Sequence, residues 1–437
     1  MNLSTAMAVV CIALPAFAQY GGPAILSRGE APSAMSAPQV DFRPFLDLAG
    51  QYDSALAGVR LSDTGQLASQ GSYGATLTFG ISGLHKWRHT TLGLDYRGGL
   101  SHYQRSEFDS LDQSMLLGLT HQISRHSMLS IREGAGVFKR DFGLFGLPAT
   151  VPFDPTQSFI PTTDYFDNRT IYQNTNVGYT LQKSARLSFN LGASMMLTKR
   201  SSAALHSSVG NVEQGDVQYR LTRRSTIGAN YQFMYFGYSG LQGGSYVHGA
   251  SGTYAYQISK NLEFSGNAGF MHLESKFVRE TPVDPVIAAL LGIRSSSQIV
   301  HTLQYVPNLG GRLARSFHNG VVYVGGGHTV SPGNGLFATS LATRALTGYS
   351  YTGLRRWSFG MAGEFSWATT TGLIDGSYAT QSLSTNMSRR IASSVHFVTS
   401  FSMRRYGSPD FPNYNRMAYS VRVGLGFSPG EIPLRIW

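Results

Sequence analysis

Seven charged residues share one property: Asp95, Arg97, Arg132, Glu263, Glu364, Arg404 and Arg422 each fall on the polar beat of a stretch that alternates apolar and polar residues. His248, His396, Asn190, Asn230 and Asn267 fall on the same beat. Charges fixed around a water-filled lumen sort ions by sign, as charged rings do in pores. In a filled interior the same groups would pair with one another as a packing network. The residue types alone leave both readings open.

Other chemistry finds little support. The chain has no Gly-x-Ser-x-Gly, no His-Glu-x-x-His and no His or Cys cluster with metal-ligand spacing, so no catalytic site, metal or cofactor is expected. His121 falls on the apolar beat, where an outward-facing lipid hydrolase would carry a histidine, but no serine or carboxylate can be placed beside it. Asp141, Asp154, Asp164 and Asp167 lie among prolines and glycines without calcium-loop spacing. The net charge of +11 gathers in short joints that contain Lys86, Arg88, Lys183, Arg186, Arg223, Arg224, Arg355, Arg356, Arg389 and Arg390. Such a basic rim suits anionic phospholipid head groups, so no nucleic-acid partner is expected and the charge says nothing of anion selectivity.

The elements that hold these residues are strands. Tyr73, Ala75, Leu77, Phe79 and Ile81 alternate with Gly74, Thr76, Thr78 and Gly80, and Trp357, Phe359, Met361, Phe365 and Trp367 repeat the scheme around Ser358, Gly360, Glu364 and Ser366. Period-2 alternation puts successive side chains on opposite faces of a sheet. Soluble strands are mostly about 5 or 6 residues long, whereas a membrane strand needs about 9 to 11. The full alternating segments of this chain run about 12 to 17 residues, longer than either. No apolar run approaches the length of about 18 residues that a membrane helix needs, so any crossing is by strands.

Short polar joints begin at residues 86, 124, 183, 223, 259, 316, 354 and 389, one hairpin apart except where a long loop intervenes. Joints on the opposite edge are more variable, and two are long, Asp141 to Asn168 and Phe277 to Gln298. This predicts an all-β chain: a single antiparallel up-and-down transmembrane barrel of about eighteen strands, within a range of sixteen to twenty, with short periplasmic turns and longer extracellular loops. A barrel of that size encloses more space than side chains fill, which favours the water-filled lumen.

Three domains are predicted. Residues 1–18 read as a signal peptide, with an apolar stretch from Ala6 to Ala16 and a small-x-small site ahead of Gln19, although no Lys or Arg precedes the stretch. Residues 19–44 read as a periplasmic tail rich in Ala, Pro, Ser and Gly, and residues 45–437 as the barrel. The single cysteine, Cys11, lies in the leader, so disulfides play no part. Asp284 to Gly292 reads as a short capped apolar helix, and Asp284, Pro285, Leu290 and Leu291 are candidates for a loop that folds inward and narrows the pore.

The last long strand alternates from Met417 to Phe427, and the chain ends in Trp437. An apolar strand closing on an aromatic resembles the signal read by the outer-membrane assembly machinery, with Phe427 and Trp437 as the two candidates. Leader, repeat and closing strand together resemble the porin-like outer-membrane β-barrels of Gram-negative type. The segment Asp164-Tyr165-Phe166-Asp167-Asn168-Arg169-Thr170 and the ending Ile432-Pro433-Leu434-Arg435-Ile436-Trp437 are similar to those of uncharacterised members. The resemblance implies passive diffusion of small hydrophilic solutes, with outer-membrane lipids, assembly machinery and periplasmic chaperones as partners. It carries no particular solute. Adhesion or reception through the long loops, and less so hydrolysis, stay open as alternatives, and the oligomeric state is undetermined.

Overall fold

The computed structural model describes residues 40–61, 67–139, 169–282, 295–351, 354, 356–371, 376–410 and 412–427. In chain order the strands are β1 (Val40–Leu61), β2 (Leu67–Lys86), β3 (Thr90–Tyr103), β4 (Ser110–Ser124), β5 (Ser127–Phe138) and β6 (Thr170–Gln182). Next come β7 (Leu187–Arg200), β8 (Ser208–Arg220), β9 (Ser225–Tyr238), β10 (Gly243–Ser259), β11 (Leu262–Pro282) and β12 (Ser295–Phe317). The last are β13 (Gly320–Ser331), β14 (Ser340–Tyr351), β15 (Trp357–Thr370), β16 (Ser377–Arg390), β17 (Val395–Gly407) and β18 (Arg416–Phe427). Each pairs antiparallel with its sequence neighbours, and β1 also pairs with β18, from Leu46↔Phe427 to Asp53↔Ser420. That pairing closes the sheet into an eighteen-stranded up-and-down barrel.

The apolar beat faces out. Leu48, Leu191, Tyr231, Phe270, Val324, Met361 and Leu425 are among the exposed large hydrophobic residues. Tyr219, Tyr254, Phe264 and Phe317 lie near the short-turn edge, and Tyr73, Tyr246, Tyr305, Trp367 and Tyr419 towards the other, as two aromatic girdles. At the short-turn edge the Arg315 guanidinium lies 5.1 Å from the Phe317 ring centroid and that of Arg389 lies 4.9 Å from Trp357, joining the basic joints to the girdle.

Two elements depart from the sequence reading. β1 begins at Val40, inside the segment assigned to the tail. The expected loop from Phe277 to Gln298 is partly strand, because β11 and β12 stay paired from Leu262↔Arg315 out to Pro282↔Ser295. Arg279, Glu280 and Thr281 give that extension no apolar beat, since above the membrane neither face need be apolar. Asp284, Pro285, Leu290 and Leu291, Trp437, and the segments around Asp141, Asp154 and Asp164 lie outside the described residues.

β12 and β13 pair only between Leu309↔His328 and Phe317↔Gly320. Beyond His328 the end of β13 parts from β12 and bends inward, still paired with β14 out to Ser331↔Ser340. The Thr329 hydroxyl reaches the Met271 sulfur at 3.8 Å, and Val330 is fully buried among residues of β9 to β12.

Closure leaves little room at its seam. A Cβ on Gly424 would stand 2.2 Å from the Leu48 carbonyl oxygen and 2.5 Å from the Ala49 Cβ. Gly424→Val is expected to destabilise the closed barrel by about 1 to 3 kcal/mol, the usual range for overpacking. Urea titration of the heat-modifiable folded band should show the loss, and an unchanged midpoint would count against this account of the seam.

Candidate functional site

Strand register places each candidate charge. Arg97, Arg132, Glu263, Glu364, Arg404 and Arg422 sit at inward positions, as do Asn190, Asn230, Asn267 and His396. Asp95 occupies an inward register position beside Ser82, and its side chain lies outside the described residues. His248 requires correction. It points outward between Tyr231, whose hydroxyl is 2.9 Å from its Nδ1, and the Phe233 ring at 5.0 Å. His121 also points outward, its Nδ1 2.8 Å from the Thr90 hydroxyl beside the β2–β3 turn.

The inward charges divide between walls. Arg97 and Arg422 line one cavity of about 250 Å³ with Asp47, Thr78, Asn386 and Ser400, and Arg422 Nη2 donates to the Thr78 hydroxyl at 2.7 Å. Arg404 and Arg422 line a second, of about 100 Å³, with Asp53, Asp112, Tyr103 and Arg416. Because Arg422 borders both, the cavities form a polar column along β16, β17, β18, β1, β2 and β3. The Tyr103 hydroxyl donates to Asp53 at 2.5 Å, and Arg416 lies 4.8 Å from the Tyr406 ring centroid.

Glu263 stands apart from this column, 3.8 Å from the buried Arg312, which in turn lies 5.8 Å from the Tyr323 ring centroid. Glu364, on β15, and Arg132, on β5, are likewise not brought to the column. Asp47, Asp53, Asp112, Arg312 and Arg416 were missing from the sequence candidates. Asp47 lies within the segment assigned to the barrel, and the beat of Leu46 and Leu48 puts it on the polar side.

The other side of the lumen is closed by the β13–β14 loop, residues 332–339, which lies inside the barrel. Gly333 (φ 77) and Gly335 (φ 89) take left-handed conformations that turn the chain tightly. Between them Asn334 Oδ1 accepts from the backbone N–H groups of Leu336 and Phe337 at 3.2 and 3.1 Å. Phe337 stacks on Tyr378 with centroids 5.2 Å apart, in a cluster with Leu205, Ala342, Ala368 and Tyr406. Ala338 and Leu341 pack on the facing wall, against a cluster that includes Met234, Phe236, Val247, Met271, Leu273 and Val306.

Polar contacts hold the loop at both ends. The Thr339 hydroxyl lies 2.8 Å from that of Tyr238 and 2.6 Å from that of Ser245, and its carbonyl accepts from Thr371 N at 3.0 Å. The Gly335 carbonyl accepts from His206 N at 2.8 Å. A loop does therefore narrow this lumen, and it is the Pro332-to-Thr339 segment that is seen to do so.

At the long-loop rim, outside the strands, Asp109 accepts from Tyr103 N at 2.8 Å and lies 2.9 Å from His102 Nδ1. These contacts, the backbone donor first, hold its carboxyl below the usual carboxylate range.

No protein-family model and no curated protein matches the chain. Among solved structures the barrel is similar to Pseudomonas aeruginosa OccK5 (OpdH), at 13% identity over 89% of this chain and 98% of that one, with a TM-score of 0.40. It is similar to P. aeruginosa OpdK solved with vanillate, at 11% identity over 90% and 99%, with a TM-score of 0.41. The ferric-catecholate import receptor Fiu of E. coli K12 is another, at 8% identity over 90% and 82%, with a TM-score of 0.41. Superpositions this loose transfer neither substrate nor mechanism, and the fold stands on the strand register.

Two outcomes are expected. Thr339→Val removes one hydroxyl that serves two buried partners, which should cost about 1 to 3 kcal/mol locally and speed hydrogen exchange in residues 332–339. Equal protection in the variant would show that the loop is held by its apolar contacts alone. Because the folded Asp109 carboxyl is depressed, its contribution is fully present above the unfolded value and is lost as pH falls through the folded one. Acidification below pH 4 should therefore loosen the Tyr103 amide in the wild type, beyond whatever acid does to Asp109→Asn.

Proposed function

We propose that this chain is an outer-membrane channel through which small hydrophilic solutes diffuse passively, exported by cleavage after Ala18 and seated in lipid by its aromatic girdles. The observation that carries the reading is the polar column. With residues 332–339 filling the opposite side, the cavities around Asp47, Arg97, Arg404, Arg416 and Arg422 keep a charged, hydrogen-bonding surface that runs from Ser388, near the short turns, through mid-lumen to Arg416 and Tyr103 at the long-loop edge. A solute that gives up its water there meets donors and acceptors set among apolar side chains such as Phe45 and Val398, and an ion meets fixed charge of both signs. We read the role as non-enzymatic, the inward groups being placed to accompany a solute.

The loop sets the size limit, because Phe337 and Tyr378 border the column through Tyr406. The partners this role implies are outer-membrane lipids around the wall, the assembly machinery that reads the closing strand, and the solutes.

Single-channel recording in a planar bilayer is the test. Small, stable open steps are expected from the wild type and larger ones from Leu336→Gly combined with Phe337→Gly. Silence from correctly folded protein of both kinds would defeat the channel reading. Arg422→Gln is expected to shift the anion-to-cation permeability ratio towards cations and Glu364→Gln, away from the column, to shift it less. Equal effects would mean that solutes do not follow the column.

A further inference from the structure

Between the girdles, carboxylates on the outward face of the described strands gather in one place. On β5, β6 and β8 the outward positions hold Glu133, Gln173, Thr175, Asn211 and Glu213. Gln173 Nε2 donates to one Glu133 oxygen at 2.9 Å, and the Thr175 hydroxyl donates to the other. Asn211 and Glu213 are exposed, and neither has a hydrogen bond or ion pair with any described residue.

Glu133 stands six residues above the start of β5 and Glu213 seven above the end of β8. With a rise of about 3.3 Å per residue and a tilt of about 40°, both lie roughly 16 Å above the short turns, inside an apolar band about 25 Å tall. Other outward charges among the described strand residues sit at the edges: Arg315 and Arg389 beside the turns, and Lys199, Glu274, Lys276 and Arg405 ten or more residues from them. Carboxylates facing hydrocarbon are costly and call for a partner.

We propose that the β5–β8 face packs against the same face of a second copy of this chain, about a two-fold axis along the membrane normal between β6 and β7. The inference rests on the reading of the barrel as membrane-spanning. Such an axis exchanges β5 with β8 while keeping every height, so the two halves of the polar patch meet. Glu133 comes opposite the carboxamide of the second copy's β8, and Glu213 opposite the N–H that Gln173 has not spent on Glu133. Lipid chains supply no such donors. At the centre Ala193 flanks the axis, and Ala135 and Gly215 keep the face low enough for close approach.

The experiment uses the full mature chain in lipid vesicles, insertion being checked by heat-modifiable mobility. Since Cys11 lies in the leader, Ala193→Cys and Ala345→Cys, on the far wall, each carry a single thiol. Oxidation is expected to link Ala193→Cys into dimers and to leave Ala345→Cys monomeric. Adding Glu133→Leu and Glu213→Leu to Ala193→Cys should lower the linked fraction by about tenfold, the effect of a loss near 1.4 kcal/mol in association. Inserted protein that stays unlinked, links equally at both sites, or links as well with leucine at 133 and 213 overturns the proposal. Failure to insert would instead remove the membrane reading and this inference with it.

Discussion

A backbone placed in lipid has no water to bond, so every amide and carbonyl must find a partner within the protein. Here that demand is met by strand pairing alone, and the ring is complete only because Leu46 to Asp53 pair with Phe427 to Ser420. The first and last strands of the chain therefore depend on each other. Small residues make the seam tight: Gly424 lies against Ala49, and a β-branched side chain there would lie in the space of the neighbouring backbone. Once the ring exists, side-chain alternation divides every strand into a lipid face and a lumen face with no further instruction.

The wall was legible in the sequence because a lipid face on every second residue cannot be hidden. Stretches such as Tyr73 to Ile81 and Trp357 to Trp367 show it, and the strand count near eighteen followed from the joints between them. Legibility fails where the lumen face is itself apolar. In β9 Met234 and Phe236 point inward between outward Phe233 and Tyr235, so the run loses its beat. In β10 Val247 is buried inside while His248 faces out, the reverse of what polarity alone suggests. Both strands carry the seat of the inward loop. The polarity rule broke because part of the lumen is a protein core.

The loop was missed for a related reason. Ser331-Pro332-Gly333-Asn334-Gly335 has the composition of any surface turn, and only Leu336 and Phe337, exposed nowhere in the fold, hint that it is buried. A longer apolar segment near Asp284 drew attention instead. The charged column was half visible: Arg97, Arg404 and Arg422 lie on clean strands, whereas Asp47 and Asp53 lie on a strand whose start resembles the tail before it. What a single sequence could not give was which inward charges share a wall, because that depends on how far apart strands fall around the ring.

The inward loop has a mechanical side. A wide barrel has a single layer of sheet and little to resist flattening, since its strands can shear and the ring can turn oval. Residues 332–339 touch the wall at Tyr238 and Ser245 on one side and at Tyr378 and Thr371 on the other, with His206 between. They act as a cross-brace. An oval distortion that separates those walls must break the Thr339 contacts or unstack Phe337, so the bore of the polar column is held constant by the same segment that occupies the rest of the lumen.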